Sequence, residues 1–287
     1  MLAIFKKELK SYFTSMTGYV FIAFFLVIVG IYYAVFNLIN RSANFENALS
    51  GLSFIFVLLV PILTMRLMAE DKKQKTDQLL FTSPVSIGKI ISGKYFAVLT
   101  VFLISMLIIC FYPLILMQFG SVPLKSAYSA ILGFTLLGAA YISIGLFISS
   151  LTESQMVSAV VTFVVMLITV LMDSLVNFLP TDNRSCYIVF FIVVLLICWL
   201  LYSMMHNITV ALTAGVIGEA ALTIIYVMKP ALYDGLLTKV LGWFSVIARY
   251  DNFSSGLLDL TSIVYYISIV FIFLFLTVQA IKKHRWN

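Results

Sequence analysis

Apolar runs of about 20 residues recur along this chain, and a run of that length leaves few folds open. A helix satisfies its own backbone hydrogen bonds, so it can cross roughly 30 Å of hydrocarbon without stranding a polar group. Eight segments qualify, at 18–38, 51–68, 95–119, 127–150, 156–179, 187–205, 208–228 and 262–281. Composition agrees with them. Of 287 residues, 62% are hydrophobic and mean hydropathy is +1.10, which is too little polar surface to coat a water-soluble globule of this size. The expectation is an all-α polytopic membrane protein, a single transmembrane domain over 1–287 with about eight transmembrane helices.

Charge placement sets the orientation. The formal net charge of +6 does not form a phosphate-tracking stripe, because the basic residues sit beside apolar spans as anchors, so nucleic acid is not an expected partner. With the amino terminus in the cytoplasm, twelve Lys and Arg fall on the inner side and six on the outer side. The excess predicts a multi-pass cell-membrane protein with both termini cytoplasmic. The opening "MLAIFKKELKSYF" has the charge of a signal peptide but no small-residue cleavage site after its apolar run. Leu2, Phe5, Leu9 and Phe13 recur at helical spacing opposite Lys6, Lys7 and Lys10, which predicts a helix over 1–16 lying along the inner membrane surface, in contact with lipid. The stretch 229–261 alternates apolar runs with isolated charges and reads as an extracytoplasmic loop or re-entrant segment, with Trp243 at headgroup level.

Motifs for chemistry are scarce. Gly88, Gly93 and Lys94 have the spacing of a phosphate-cradling loop, but Tyr95 stands where Ser or Thr must hold magnesium, and a membrane span follows instead of a soluble helix. The segment is expected to be a flexible, basic lead-in at the inner surface. His206 and His284 have no partner set for catalysis, and Cys110, Cys186 and Cys198 form no metal-binding pattern, so neither a catalytic residue nor a metal site is expected. Two acids lie within apolar runs. Glu219 is near the middle of the seventh span, where a carboxylate must be protonated, paired or facing a cavity, and Asp173 is nearer the outer end of the fifth. Gly133, Gly138, Ala139, Ala140, Ser143 and Gly145 crowd the fourth span and predict close helix packing. Pro61 and Pro113 can bend their helices.

Three segments, in order, carry a resemblance. "LTMRLMAEDKKQKTDQLLFTSPVSIGKIISGKYFA" at 63–97 resembles the first cytoplasmic loop of ABC-2 type permease subunits, closest to the gliding-motility-type and nitrous-oxide-reductase-maturation-type members. "YISIGLFISSLTESQMVSAV" at 141–160 is similar to the family's tight cytoplasmic turn between its fourth and fifth spans. "IARYDNFSSGLLDLTSIVYYISIVFIFLFLTVQAIKKHRW" at 247–286 is similar to its outer loop and last span. Typical members have six spans, so 186–228 reads as an inserted helical hairpin, and no family role extends to Glu219 on it. Tyr250 replaces the histidine expected there.

The resemblance implies a non-catalytic permease subunit of an ATP-driven transporter, an exporter, with ATP and magnesium held by a separate ATPase and no cofactor in this chain. It further implies a second permease chain, identical or not, and an extracytoplasmic auxiliary protein seated around Trp243, Tyr250, Asn252 and Phe253. The ATPase would dock on a cytoplasmic coupling helix within 69–94. Glu70, Asp71, Lys72 and Lys75 offer charges for register, Leu79, Leu80 and Phe81 offer apolar anchors, and Pro84 ends the helix by restricting Ser83. Without the resemblance, a solvated loop whose lysines set topology fits equally well. Two other functions remain open on the residues: an ion-coupled secondary carrier using Glu219, and ATPase-driven mechanical transmission to an outer partner without transport.

Overall fold

A computed structural model describes residues 1–76, 85–178, 182–205, 208–243 and 245–286. The first helix, α1 (Leu2–Thr14), ends where hydroxyls take its last carbonyls: Thr14 Oγ1 donates to Lys10 O at 2.9 Å and Ser15 Oγ to Ser11 O at 2.7 Å. The chain then reverses tightly. A Cβ at Gly18 would stand 3.0 Å from the Tyr12 carbonyl oxygen, so only glycine fits without a shift. α2 (Thr17–Tyr33) leads away from α1 to a far side and closes in a π-helical turn, Ala34–Ile39. α3 (Phe45–Leu52) and α4 (Ile55–Thr64) return to the near side as a pair bent by 59°. The break falls at residues 53–54, ahead of Pro61, so Pro61 is not where this span bends.

The near side then carries a short polar helix, α5 (Ala69–Lys73). α6 (Ile87–Ile109) crosses to the far side and is interrupted at residues 110–111 before α7 (Tyr112–Leu116), where Pro113 occupies the first turn and its missing donor costs nothing. α8 (Leu124–Leu151) returns, a turn at 152–154 follows, and α9 (Gln155–Phe178) leaves again. That turn matches the tight connection expected between the fourth and fifth spans. After the hairpin α10 (Asn183–Met205) and α11 (Ile208–Met228) come a 3₁₀ turn (Pro230–Tyr233) and the short helices α12 (Leu236–Gly242) and α13 (Tyr250–Ser254). α14 (Leu260–Trp286) ends the chain.

Among the described residues five helical stretches are long and apolar enough to cross a membrane, Thr17–Ile39, Ile87–Leu116, Leu124–Leu151, Gln155–Met172 and Leu260–Lys283, and up to six when the bent α3–α4 pair is counted as one span. These match six of the eight expected spans. The hairpin adds the shorter apolar runs Asn183–Leu196 and Gly215–Met228, so the protein is an all-α polytopic membrane protein whose crossings are not fixed at eight. Among the described residues, 229–261 contains no helix long enough to be a further span.

The chain divides into two units, residues 1–170 with 246–287, and residues 171–245. In the first, α8 is the central helix, packed by α14, α13, α4, α6 and α3. Its small residues allow this approach, as expected. A Cβ added at Gly138 would lie 2.5 Å from Phe102, one at Gly133 would lie 2.5 Å from Phe253, and one at Gly145 would collide with Thr64. Without a hydrophobic drive between helices in lipid, close van der Waals packing of this kind holds the bundle together. Phe25, Phe56, Phe102 and Phe134 fill the centre, with the Phe56 and Phe134 rings 4.5 Å apart. In the second unit α10 and α11 run antiparallel: Gly218 faces Val194, Gly215 faces Cys198, and the Tyr187 and Tyr226 rings stack at 4.6 Å.

Candidate functional site: a buried lysine where three near-side elements meet

α6 presents a row of Ile87, Ile91, Lys94, Val98, Val101 and Ser105 to the core, at the spacing of one helical face. Lys94 therefore points inward, and it is 1% exposed. Its ammonium donates to Glu8 Oε1 of α1 at 2.8 Å and to the Leu67 carbonyl at 2.8 Å, and it forms an ion pair with Asp71 Oδ2 of α5 at 2.6 Å. One side chain thus joins α1, α5 and a membrane-crossing helix. Two carboxylates flanking one ammonium within a buried pocket satisfy the condition under which a buried charge is tolerated.

Neighbouring contacts reinforce the junction. Backbone approach is close at Gly93, where a Cβ would stand 3.2 Å from Met1 O and 3.3 Å from Ile4 Cβ. Ile4, Glu8 and Tyr12 form the α1 row that packs inward. The Tyr12 hydroxyl donates to Leu63 O at 2.8 Å, and burial pushes its phenol far above the ordinary range, so it remains a neutral donor. On the α8 side, Ser149 Oγ accepts from the Met68 and Ala69 amides at 3.1 and 3.2 Å and caps the start of α5, while Lys72 Nζ donates to Ser150 O at 2.6 Å at the end of α8.

The residues expected to face an ATPase are therefore divided. Glu70 is held by Arg66 through two bonds of 2.8 and 3.0 Å, Asp71 by Lys94 and by Thr76 Oγ1 at 3.0 Å, and Lys72 by α8. These three charges serve the fold. Lys75 is exposed, with φ +57°, as are Lys73 and Gln74 beside it. Leu79, Leu80, Phe81, Ser83 and Pro84 lie outside the described residues. The expected basic lead-in at 88–94 is instead the first two turns of α6, so the near-side polar segment ends at Ser86 and not at Lys94. The reason is the row above: Ile87, Ile90 and Ile91 are already in phase with the core. Lys94 was missed because it was counted as a topology signal, yet its place in that row was visible.

Elsewhere the structure assigns the expected residues differently. Tyr250 and Phe253 are 1% and 0% exposed, packed on α8 beside Phe134 and Gly133, and so are core residues with no surface to offer a partner. Asn252 donates to Asp259 Oδ2 at 3.1 Å, and Trp243 is 67% exposed. Glu219 has both carboxylate oxygens buried with no hydrogen-bond partner among the described residues. Asp173 lies on α9, within the described backbone. Among the described residues no cluster of His, Cys, Asp or Glu could hold a metal ion.

A bundle of up to six apolar stretches long enough to cross a membrane, packed on a central small-residue helix with a short polar helix at one end, defines an all-α polytopic membrane protein. The sequence profile of the ABC-2 family transporter proteins matches residues 29–228, more than two thirds of the chain, and the protein belongs to that family. It is accordingly a non-catalytic permease component of an ABC transporter, and membership implies an ATPase partner. No curated protein and no solved structure matches the chain.

Proposed function

We propose that the near side is cytoplasmic, with both termini there, and that the junction around Lys94 receives the motion of a partner ATPase and passes it into α6 and α8. The observation that supports this is the single buried ammonium bound to α1, α5 and Leu67 at once. A push on α5 cannot be absorbed by local slack, because α5 is also capped and gripped by the end of α8. ATP and magnesium belong to the partner in this reading. Docking contacts come from Lys73, Lys75 and the apolar triplet Leu79, Leu80 and Phe81, with Ser83 and Pro84 closing the segment, while Glu70, Asp71 and Lys72 hold it in place.

The transporter is an exporter of the gliding-motility or nitrous-oxide-reductase-maturation type, built from two permease chains, and an extracytoplasmic auxiliary protein meets the exposed Trp243. The alternative in which the same motion is passed to that auxiliary protein without transport uses the same junction. A second reading rests on Glu219, whose buried carboxylate oxygens have no hydrogen-bond partner among the described residues and suit a proton site. Loss of proton-dependent transport in Glu219→Gln without an ATPase would support it. The coupling reading is tested by Lys75→Glu with Leu79→Asp in the membrane-inserted chain. The ATPase should no longer co-purify, and an unchanged yield of ATPase overturns the docking assignment.

A further inference from the structure

The three near-side segments that meet at Lys94 sort their charges unevenly. Residues 1–15, 65–76 and 85–94 carry nine Lys and Arg against three acids. Every one of those acids is turned to a basic partner of the same junction: Glu8 and Asp71 to Lys94, and Glu70 to Arg66. Lys72 is half-buried and donates to Ser150 O. What is left on the surface is Lys6, Lys7, Lys10, Lys73, Lys75 and Lys89, six exposed ammonium groups with no exposed carboxylate among the described residues of these segments. The exposed Glu153 belongs to the separate turn at 152–154.

The fold thus consumes its own acids inside the junction and presents a field of one sign outside it. Such a field steers an oppositely charged surface and sets its register. Anionic lipid is one such surface, and on α1 the apolar row Leu2, Phe5, Leu9 and Phe13 could seat the helix on a bilayer. It does not account for the tip of α5. Lys73, Gln74 and Lys75 are all exposed with no apolar side chain among them to enter a membrane, and they lead directly into the segment 77–84 assigned above to docking. Lys89, in the first turn of α6, extends the same charge to the other side of that segment.

We infer that the ATPase partner meets this face with an acidic rim, which touches α1 and the start of α6 as well as the tip of α5. The inference rests on the docking reading above and adds the chemistry of the partner's surface to it. Charge supplies the rate and orientation of docking, and the apolar triplet Leu79, Leu80 and Phe81 supplies the hold.

The test uses the full-length chain in nanodiscs of phosphatidylcholine alone or with phosphatidylglycerol, and the ATPase recovered from the purified transporter, with association followed by interferometry. Raising salt from about 0.1 M to about 1 M shortens the screening length from about 10 Å to about 3 Å. The association rate should fall about tenfold, with a smaller change in dissociation. Lys6→Glu, Lys7→Glu and Lys10→Glu combined should slow association about tenfold at the lower salt and flatten the salt dependence. The same three positions changed to Gln should lie between, and they serve if the first variant does not insert. A salt-independent rate for the unaltered chain, or an unchanged rate for the triple variants, overturns the inference. So does a lysine effect confined to discs with phosphatidylglycerol, which would make the face a lipid site. The docking segment is judged apart from this. If Lys75→Glu with Leu79→Asp releases the ATPase while the α1 changes leave its rate unaltered, the acidic rim is refuted and the segment stands. If the α1 changes slow association and the other pair does nothing, the rim stands and the segment falls.

Discussion

Replacing Lys94 by Met removes one charge and keeps most of the stem. Glu8 and Asp71, with side chains 13% and 15% exposed, then face each other's field without the ammonium that lay 2.8 and 2.6 Å away. Removing one partner of a buried ion pair costs about 3–5 kcal/mol, because the remaining charge is left uncompensated. For a chain of this size the midpoint of thermal unfolding should fall by on the order of 10 °C. Replacing all the charges together is different, since a buried pair exchanged for uncharged groups of similar volume is close to neutral. The triple variant Glu8→Gln, Asp71→Asn, Lys94→Met should therefore recover most of the loss, and Glu8→Gln alone should lie between. Scanning fluorimetry of the detergent-purified chain, checked by size exclusion after a heat step, reads the order. If Lys94→Met melts as the unaltered protein does, or the triple variant melts no higher than Lys94→Met, the assignment of Lys94 as a charge-paired junction is refuted.

Glycine positions should divide by what surrounds them: Gly138→Ala, with Phe102 2.5 Å from the new Cβ, should cost about 1–3 kcal/mol by overpacking, while Gly120→Ala meets nothing within 4 Å and should leave the melting midpoint unchanged. Asp259 accepts from the Thr261 amide and the Ser262 hydroxyl, both at 2.9 Å, and these bonds hold its carboxyl below the usual carboxylate range. A depressed native value means that its stabilisation of the start of α14 is present above about pH 4 and is lost as pH falls through the lowered value. The midpoint difference between the unaltered chain and Asp259→Asn should accordingly shrink between pH 5 and strongly acidic pH, roughly below 3. Topology is checked by single cysteines at Lys73 and Phe119 in a chain with Cys110, Cys186 and Cys198 replaced. An impermeant maleimide on intact cells should label only the Phe119 position, and labelling of the Lys73 position alone would invert the orientation.

Much of this arrangement is legible in the residues. A run such as 127–150 is apolar on every side, and in lipid a helix is the one local structure that closes its own hydrogen bonds, so its class and approximate bounds follow from the run alone. Small residues at 133, 138 and 145 announced close approach, although not that Phe253, Phe102 and Thr64 would be the neighbours. Residues 69–94 were harder. Read along the chain, Glu70, Asp71 and Lys72 are charges in a polar segment and look available to a partner. Their actual partners are Arg66, Lys94 and Ser150, and the last two come from different helices. Tyr250 and Phe253 misled in the same way, because the resemblance placed them in an outer loop open to a partner, where α13 in fact tucks its aromatic rings against α8.

Sequence by itself determined the solvent, the helical class, the near-side turn at 152–154 and the positions of up to six of the eight crossings it led us to expect, because each depends on hydropathy and hydrogen bonding within one segment. Tertiary structure alone decided that Lys94 would be a junction and not a topology signal, that the α3–α4 span would break at 53–54, and that Asn37 would turn inward on a π-helical turn. Each of these sets charges, helix axes or amide groups from separate segments against one another. Their energies depend on distances of a few ångströms that no single stretch of chain encodes.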